Sequence, residues 1–123
     1  DAGDWASSER VHRQAVDVME KSLGPKHLET ATVRARLARA VFMRGRSDEA
    51  YSLYRRGHDD MLAGGVNPSS TVLRDARLRI AETLLVLKRN PEADSVLRTV
   101  AESTAPPAQR ALLDSLRARV ASK

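Results

Sequence analysis

Apolar residues recur along this chain at three- and four-residue spacing, and Gly, Pro or a Ser/Asp/Glu cluster interrupts the pattern at intervals. From Asp4-Trp5 to about Lys21, Val11, Ala15, Val18 and Met19 keep helical phase, with Trp5 near the start. Leu23-Gly24-Pro25 ends that helix, because Gly suits a left-handed cap and Pro cannot continue the ladder. A second helix is expected from Leu28 or Glu29 to Arg44, with Val33, Leu37, Ala38, Ala40 and Val41 on one side, and Gly45 stops it. Ser47-Asp48-Glu49 starts a third, the hydroxyl acting as cap and the acids lying where the helix dipole favours them. Its inward stripe is Ala50, Leu53, Tyr54, Gly57 and Met61.

Gly64-Gly65-Val66-Asn67-Pro68 reads as a loop by composition. Ser69 or Ser70 then caps a helix to about Lys88, with Ala76, Ile80, Ala81, Leu84 and Leu87 in phase. Asn90-Pro91-Glu92 opens a fifth, its Pro at the first helical position, and Ala93, Val96, Leu97 and Val100 carry it to about Ser103. Pro106-Pro107 opens the last, with Leu112, Leu113, Leu116 and Val120. Six helices on short loops pack as neighbouring antiparallel pairs, so the expected class is all-α. A shift of 43 residues also lays Pro25 on Pro68, Leu37 on Ile80, Ala38 on Ala81, Val41 on Leu84, Glu49 on Glu92, Ala50 on Ala93 and Arg55 on Arg98. So many matches at one offset, on inward positions of two helices, describe an internal repeat.

Composition narrows the picture. Aromatics make up 3% of the 123 residues, so Leu, Val, Ile and Ala must do the packing, which suits close helix pairs. There is no Cys, which excludes disulfides, thiol chemistry and Cys-based metal sites and leaves the redox compartment open. No apolar run is long enough to span a membrane and no signal peptide is visible. Both ends of the chain look cut, as in a fragment of a longer protein. The net charge of +5 comes almost wholly from Arg, interleaved with Asp and Glu in the manner of solvated helix faces. That mixing, with few aromatics, argues against nucleic acid as the partner.

The repeat resembles the tetratricopeptide repeat in its long, kinesin-light-chain-like form. Leu23-Gly24-Pro25-Lys26-His27 matches that form's loop phrase Leu-Gly-Pro-x-His. Leu37-Ala38-x-x-Val41 matches its small-residue packing site, Gly45-Arg46-Ser47-Asp48-Glu49-Ala50 resembles its turn Gly-x-x-x-Glu-Ala, and Tyr54 falls at an aromatic position of the second helix. The second copy is poorer: Gly45 becomes Lys88 and Tyr54 becomes Leu97. The resemblance implies a right-handed α-solenoid of helix pairs. Residues 5–22 would be the second helix of a preceding repeat, 28–63 one repeat, 69–104 another, and 107–121 a capping or truncated helix.

In such a fold the first helices line a concave groove that receives a peptide or helix of a partner protein. The family's groove positions fall here on Thr32, Ala35, Arg36, Arg39 and Met43, then on Asp75, Leu78, Arg79, Glu82 and Val86. Arg36 and Arg79 are repeat-equivalent and Arg39 lies one turn along, so a ladder of guanidiniums able to fork onto carboxylates is expected, with an acidic peptide as ligand. The competing expectation is that these arginines pair with Glu82, Asp75 or neighbouring acids and only solvate the face. Arg34 and Arg77 also repeat, and are expected at the helix–helix seam.

Other chemistry is thin. His12, His27 and His58 are not spaced for a metal, and Asp59-Asp60 diverge on a helix. Gly64-Gly65 lacks the Lys-Ser/Thr of a phosphate loop. The expectation is a non-catalytic, cofactor-free, cytoplasmic interaction scaffold, serving as the partner-recruiting or sensory part of a larger bacterial regulator such as a kinase or transcription regulator. Nucleic-acid binding and self-association through the terminal helices are the alternatives.

Overall fold

The computed structural model describes residues 2–100 and 105–122. Among these the fold is all-α: α1 (Ala2–Leu23), α2 (Leu28–Met43), α3 (Ser47–Ala63), α4 (Thr71–Val86), α5 (Asn90–Leu97) and α6 (Pro107–Ser122). The chain divides into two compact units, residues 1–66 with α1–α3 and residues 67–123 with α4–α6.

In the first unit α2 packs against both α1 and α3. Its buried residues are mostly small, and Ala31, Ala38, Ala40 and Val41 are wholly inaccessible. Small side chains let the neighbours approach closely: a Cβ added to Gly57 of α3 would sit 3.9 Å from the Ala31 carbonyl oxygen. At the end of α3 the approach is tighter still, since a Cβ on Gly64 would fall 2.8 Å from the Lys26 carbonyl oxygen.

Helix α1 departs from the apolar reading. Val11 and Val18, expected inward, are 55% and 61% exposed. The inward line runs instead through Glu9, Val16 and Glu20, because two of its positions carry carboxylates that meet arginines from the other helices. Arg34 of α2 is 1% exposed and donates from Nη2 to Glu20 of α1 and from Nη1 to Asp60 of α3, both at 3.0 Å. This confirms Arg34 at the seam. Buried Glu9 accepts from Arg13 at 2.8 Å, from Arg44 at 2.6 Å and from Arg46.

In the second unit α4 packs against α5 and α6. Leu73, Leu78, Ile80, Ala81 and Leu84 of α4 are buried, as are Ala93 and Leu97 of α5 and Leu113 and Leu116 of α6. Buried Arg74 donates to Gln109 Oε1 at 3.1 Å and to the Ser69 carbonyl at 3.0 Å, while Gln109 donates to the Thr71 carbonyl at 3.0 Å. These bonds tie the first turn of α6 to that of α4. Half-buried Arg77 makes long contacts, 3.5 and 3.4 Å, to the carbonyls of Pro68 and Thr99. Helix α5 stops at Leu97, short of the expected Ser103, which lies outside the described residues.

Helices α2, α3 and α4 end alike. After α2, Gly45 N–H bonds to the Phe42 carbonyl and Arg46 N–H to that of Val41, the paired bonds of a Schellman cap. Gly65 and Val66 repeat this after α3, and Lys88 and Arg89 after α4. The cap needs a left-handed residue: φ is +85° at Gly45, +88° at Gly65 and +62° at Lys88. These turns are so short that Arg46 and Arg89 also serve as N-caps of α3 and α5. Ser47 is therefore already helical rather than the expected cap, and Pro91 follows Asn90 inside α5 instead of leading it. Each N-cap arginine pairs with the glutamate three residues on, Arg46–Glu49 at 3.8 Å and Arg89–Glu92 at 2.6 Å. Where hydroxyl or imidazole caps do form, Ser70 accepts from Leu73 N–H and His27 Nδ1 from Glu29 N–H.

Lys88 holds a conformation that costs a residue with a Cβ about 1–2 kcal/mol. Lys88→Gly should raise stability by about 1 kcal/mol and the thermal midpoint by roughly 4 °C; a midpoint that stays or falls contradicts the cap geometry. The Glu9 carboxyl is subject to burial, which raises its pKa, but the bonds from Arg13 and Arg44 and the nearby Arg46 charge outweigh this and hold it below the ordinary 4.5. A carboxyl with a lowered folded pKa stabilises fully above its unfolded value and loses that contribution as pH falls through the folded one. Glu9→Gln should therefore lower the melting temperature at neutral pH, and the gap to wild type should close as the pH drops below about 4.5. A pH-independent gap in melts from pH 3 to 7 would refute the charge assignment.

Candidate functional site

Because α2 buries Thr30, Ala31, Val33, Arg34, Leu37, Ala38, Ala40 and Val41, its remaining positions form one accessible face. Along it lie exposed Glu29, half-buried Thr32 and Ala35, exposed Arg36, half-buried Arg39 and Phe42, and exposed Met43. The expected α2 positions thus share a face. Thr32 donates its hydroxyl back to the Leu28 carbonyl at 2.9 Å, so the oxygen keeps acceptor capacity.

The arginines of this face differ. Arg39 lies over the Phe42 ring with its guanidinium carbon 5.6 Å from the centroid, a cation–π contact. Arg36 is exposed, and no hydrogen bond or ion pair engages it among the described residues. Its five donors are open to an incoming acceptor, and a planar fork can take a carboxylate through two parallel bonds. Most other arginines of the chain are spent on carboxylates of the chain itself: Arg13, Arg34, Arg44, Arg55, Arg56, Arg79, Arg89 and Arg98 all form ion pairs. Phe42 went unnoticed in the sequence; its spacing from Arg39, three residues along one helix, is the signal that would have found it.

The accessible face of α4 carries exposed Asp75, half-buried Arg79 and Glu82, and exposed Val86. Leu78, expected in the groove, is wholly buried and cannot meet a ligand. The 43-residue offset aligns it with Ala35, but a large apolar side chain at that position is packed rather than presented. Arg79 donates to Glu82 Oε1 at 3.2 Å, with side chains 28% and 17% exposed. The guanidinium expected to extend the ladder is thus already partnered by its own helix. Asp75, like Arg36, has no hydrogen bond or ion pair among the described residues.

Ser8 Oγ lies 3.1 Å from His12 Nδ1, a ring nitrogen that also lies 2.8 Å from the Ser8 carbonyl one turn back, and no group of three His, Cys, Asp or Glu side chains converges among the described residues. His58 is buried beside Asp59, 3.0 Å from Nδ1 to Oδ1. No helix among the described residues is long and apolar enough to cross a membrane.

Comparison with curated proteins finds no match. The family model described as tetratricopeptide repeat does match, over residues 1–61, the stretch that holds α1, α2 and most of α3. With the loop phrase at Leu23–His27, the small-residue site at Leu37-Ala38, and α2 packed between its two neighbours, this chain belongs to the tetratricopeptide repeat family, in its long, kinesin-light-chain-like form.

Proposed function

We propose that the accessible face of α2 is a non-catalytic docking surface for an acidic segment of another protein. Tetratricopeptide repeats are in general protein–protein interaction scaffolds, which supplies the class of partner. The observation that carries the acidic reading is Arg36: an exposed guanidinium with no ion pair among the described residues, on a chain whose arginines otherwise mostly hold carboxylates of its own. Thr32 offers a hydroxyl oxygen, the Arg39–Phe42 pair a cation beside an aromatic ring, and Met43 an adaptable apolar contact at the end of the same face.

A single exposed ion pair contributes under about 1 kcal/mol, so Arg36 alone cannot hold a ligand. Micromolar affinity, about 8 kcal/mol, requires backbone and apolar contacts along the face, with Arg36 selecting which segment is accepted. A cytoplasmic setting and a role in recruiting partners to a larger regulator are consistent with this reading, and a kinase or DNA-binding domain in the parent reading frame would support the latter.

Binding of a fluorescein-labelled hexaglutamate peptide with a free carboxyl terminus, followed by anisotropy, tests the proposal. Arg36→Glu should weaken binding at least tenfold, about 1.4 kcal/mol, while leaving the melting temperature within a degree or two of wild type. Unchanged affinity in that variant sinks the acidic reading. Tighter binding to a random-sequence oligonucleotide, falling steeply with salt, would replace it with nucleic-acid recognition.

A further inference from the structure

Among the repeat-equivalent positions at which the two accessible faces differ, one pair reverses its charge. A 43-residue shift carries Arg36 onto Arg79 and Arg39 onto Glu82. On α2 the second position is a cation stacked on Phe42, and Arg36 stays open. On α4 the second position is a carboxylate, and it occupies the guanidinium at the first. Glu82 is a stand-in, built into the chain, for the carboxylate that Arg36 would take from a partner.

We infer that Glu82 is a specificity-determining residue, which masks Arg79 and confines recognition of acidic segments to α2. The inference rests on the reading of the α2 face given above and extends it. An intramolecular carboxylate three residues along a helix is held at high effective concentration, so an acidic segment gains little by displacing it. Glu82 is only 17% exposed in its side chain, which makes the pair less screened than a fully solvated one. With Arg79 engaged, the exposed charge left on α4 is Asp75, which repels a carboxylate and suits a basic or uncharged residue. The α4 face by itself therefore suits a segment that is not acidic, and the α2 face one that is.

The test uses the whole chain and the labelled hexaglutamate probe. Glu82→Gln keeps the shape of the side chain and removes the charge that engages Arg79. It should tighten binding threefold or more, and the gain should vanish in the double variant Arg79→Gln/Glu82→Gln. Arg79→Gln alone should leave affinity within twofold of wild type, because a masked guanidinium contributes little. If Glu82→Gln changes nothing while Arg36→Glu abolishes binding, the masking inference is wrong and the α2 reading stands. If Arg36→Glu changes nothing while Glu82→Gln tightens binding, the α2 reading falls and Arg79 is the latent anion site. No detectable binding by any of these proteins overturns both.

Discussion

A guanidinium buried among three helices is the constraint on which the first unit depends. Arg34 sits in the middle of α2 and reaches one carboxylate on each neighbour, Glu20 on α1 and Asp60 on α3. Taking a cation out of water costs several kcal/mol, and here two carboxylates at 3.0 Å, each partly solvated, offset that cost. The alanine-rich surfaces around it could slide past one another with little penalty. A planar fork meeting two carboxylates fits in only one register, so the polar triad sets the alignment that the small apolar residues then fill. Glu9 does the same at the other end of α1, gathering Arg13, Arg44 and Arg46 onto one carboxylate.

That division of labour explains which features could be read from the residues alone. Helix positions, the left-handed ends at Gly24 and Gly45 and the inward Ala and Leu of α2 follow from periodicity and backbone chemistry, which are local. The inward face of α1 does not, because two of its positions are glutamates whose partners lie on other helices, and an apolar count therefore selects Val11 and Val18 instead. Ser47 looks like a cap in any sequence, but the preceding Schellman turn uses Arg46 for both tasks and leaves no place for it. The α2 face was legible because Thr32, Arg36, Arg39 and Met43 sit opposite a run of small buried residues. On α4, Leu78 failed because alignment by offset preserves position but not size.

The two stretches related by the 43-residue offset thus share backbone devices more closely than surface chemistry. The cap bonds, the N-cap arginine and its glutamate recur at Gly45–Arg46–Glu49 and Lys88–Arg89–Glu92. The outward residues change sign and size between copies, Thr32 to Asp75 and Arg39 to Glu82. Each unit tolerates this because its own helices meet through inward positions. Surface substitutions are then free to diversify what each helix meets.

Helix α5 carries a consequence of its own. Eight residues are too few for a helix to persist in water, where isolated helices need about 12–15 residues even with favourable composition. Its backbone ladder exists only while Ala93 and Leu97, with Val100 just beyond, stay packed against the neighbouring helices of its unit. Amide protons of α5 are accordingly reporters of that packing, since they exchange with solvent whenever α5 lifts away.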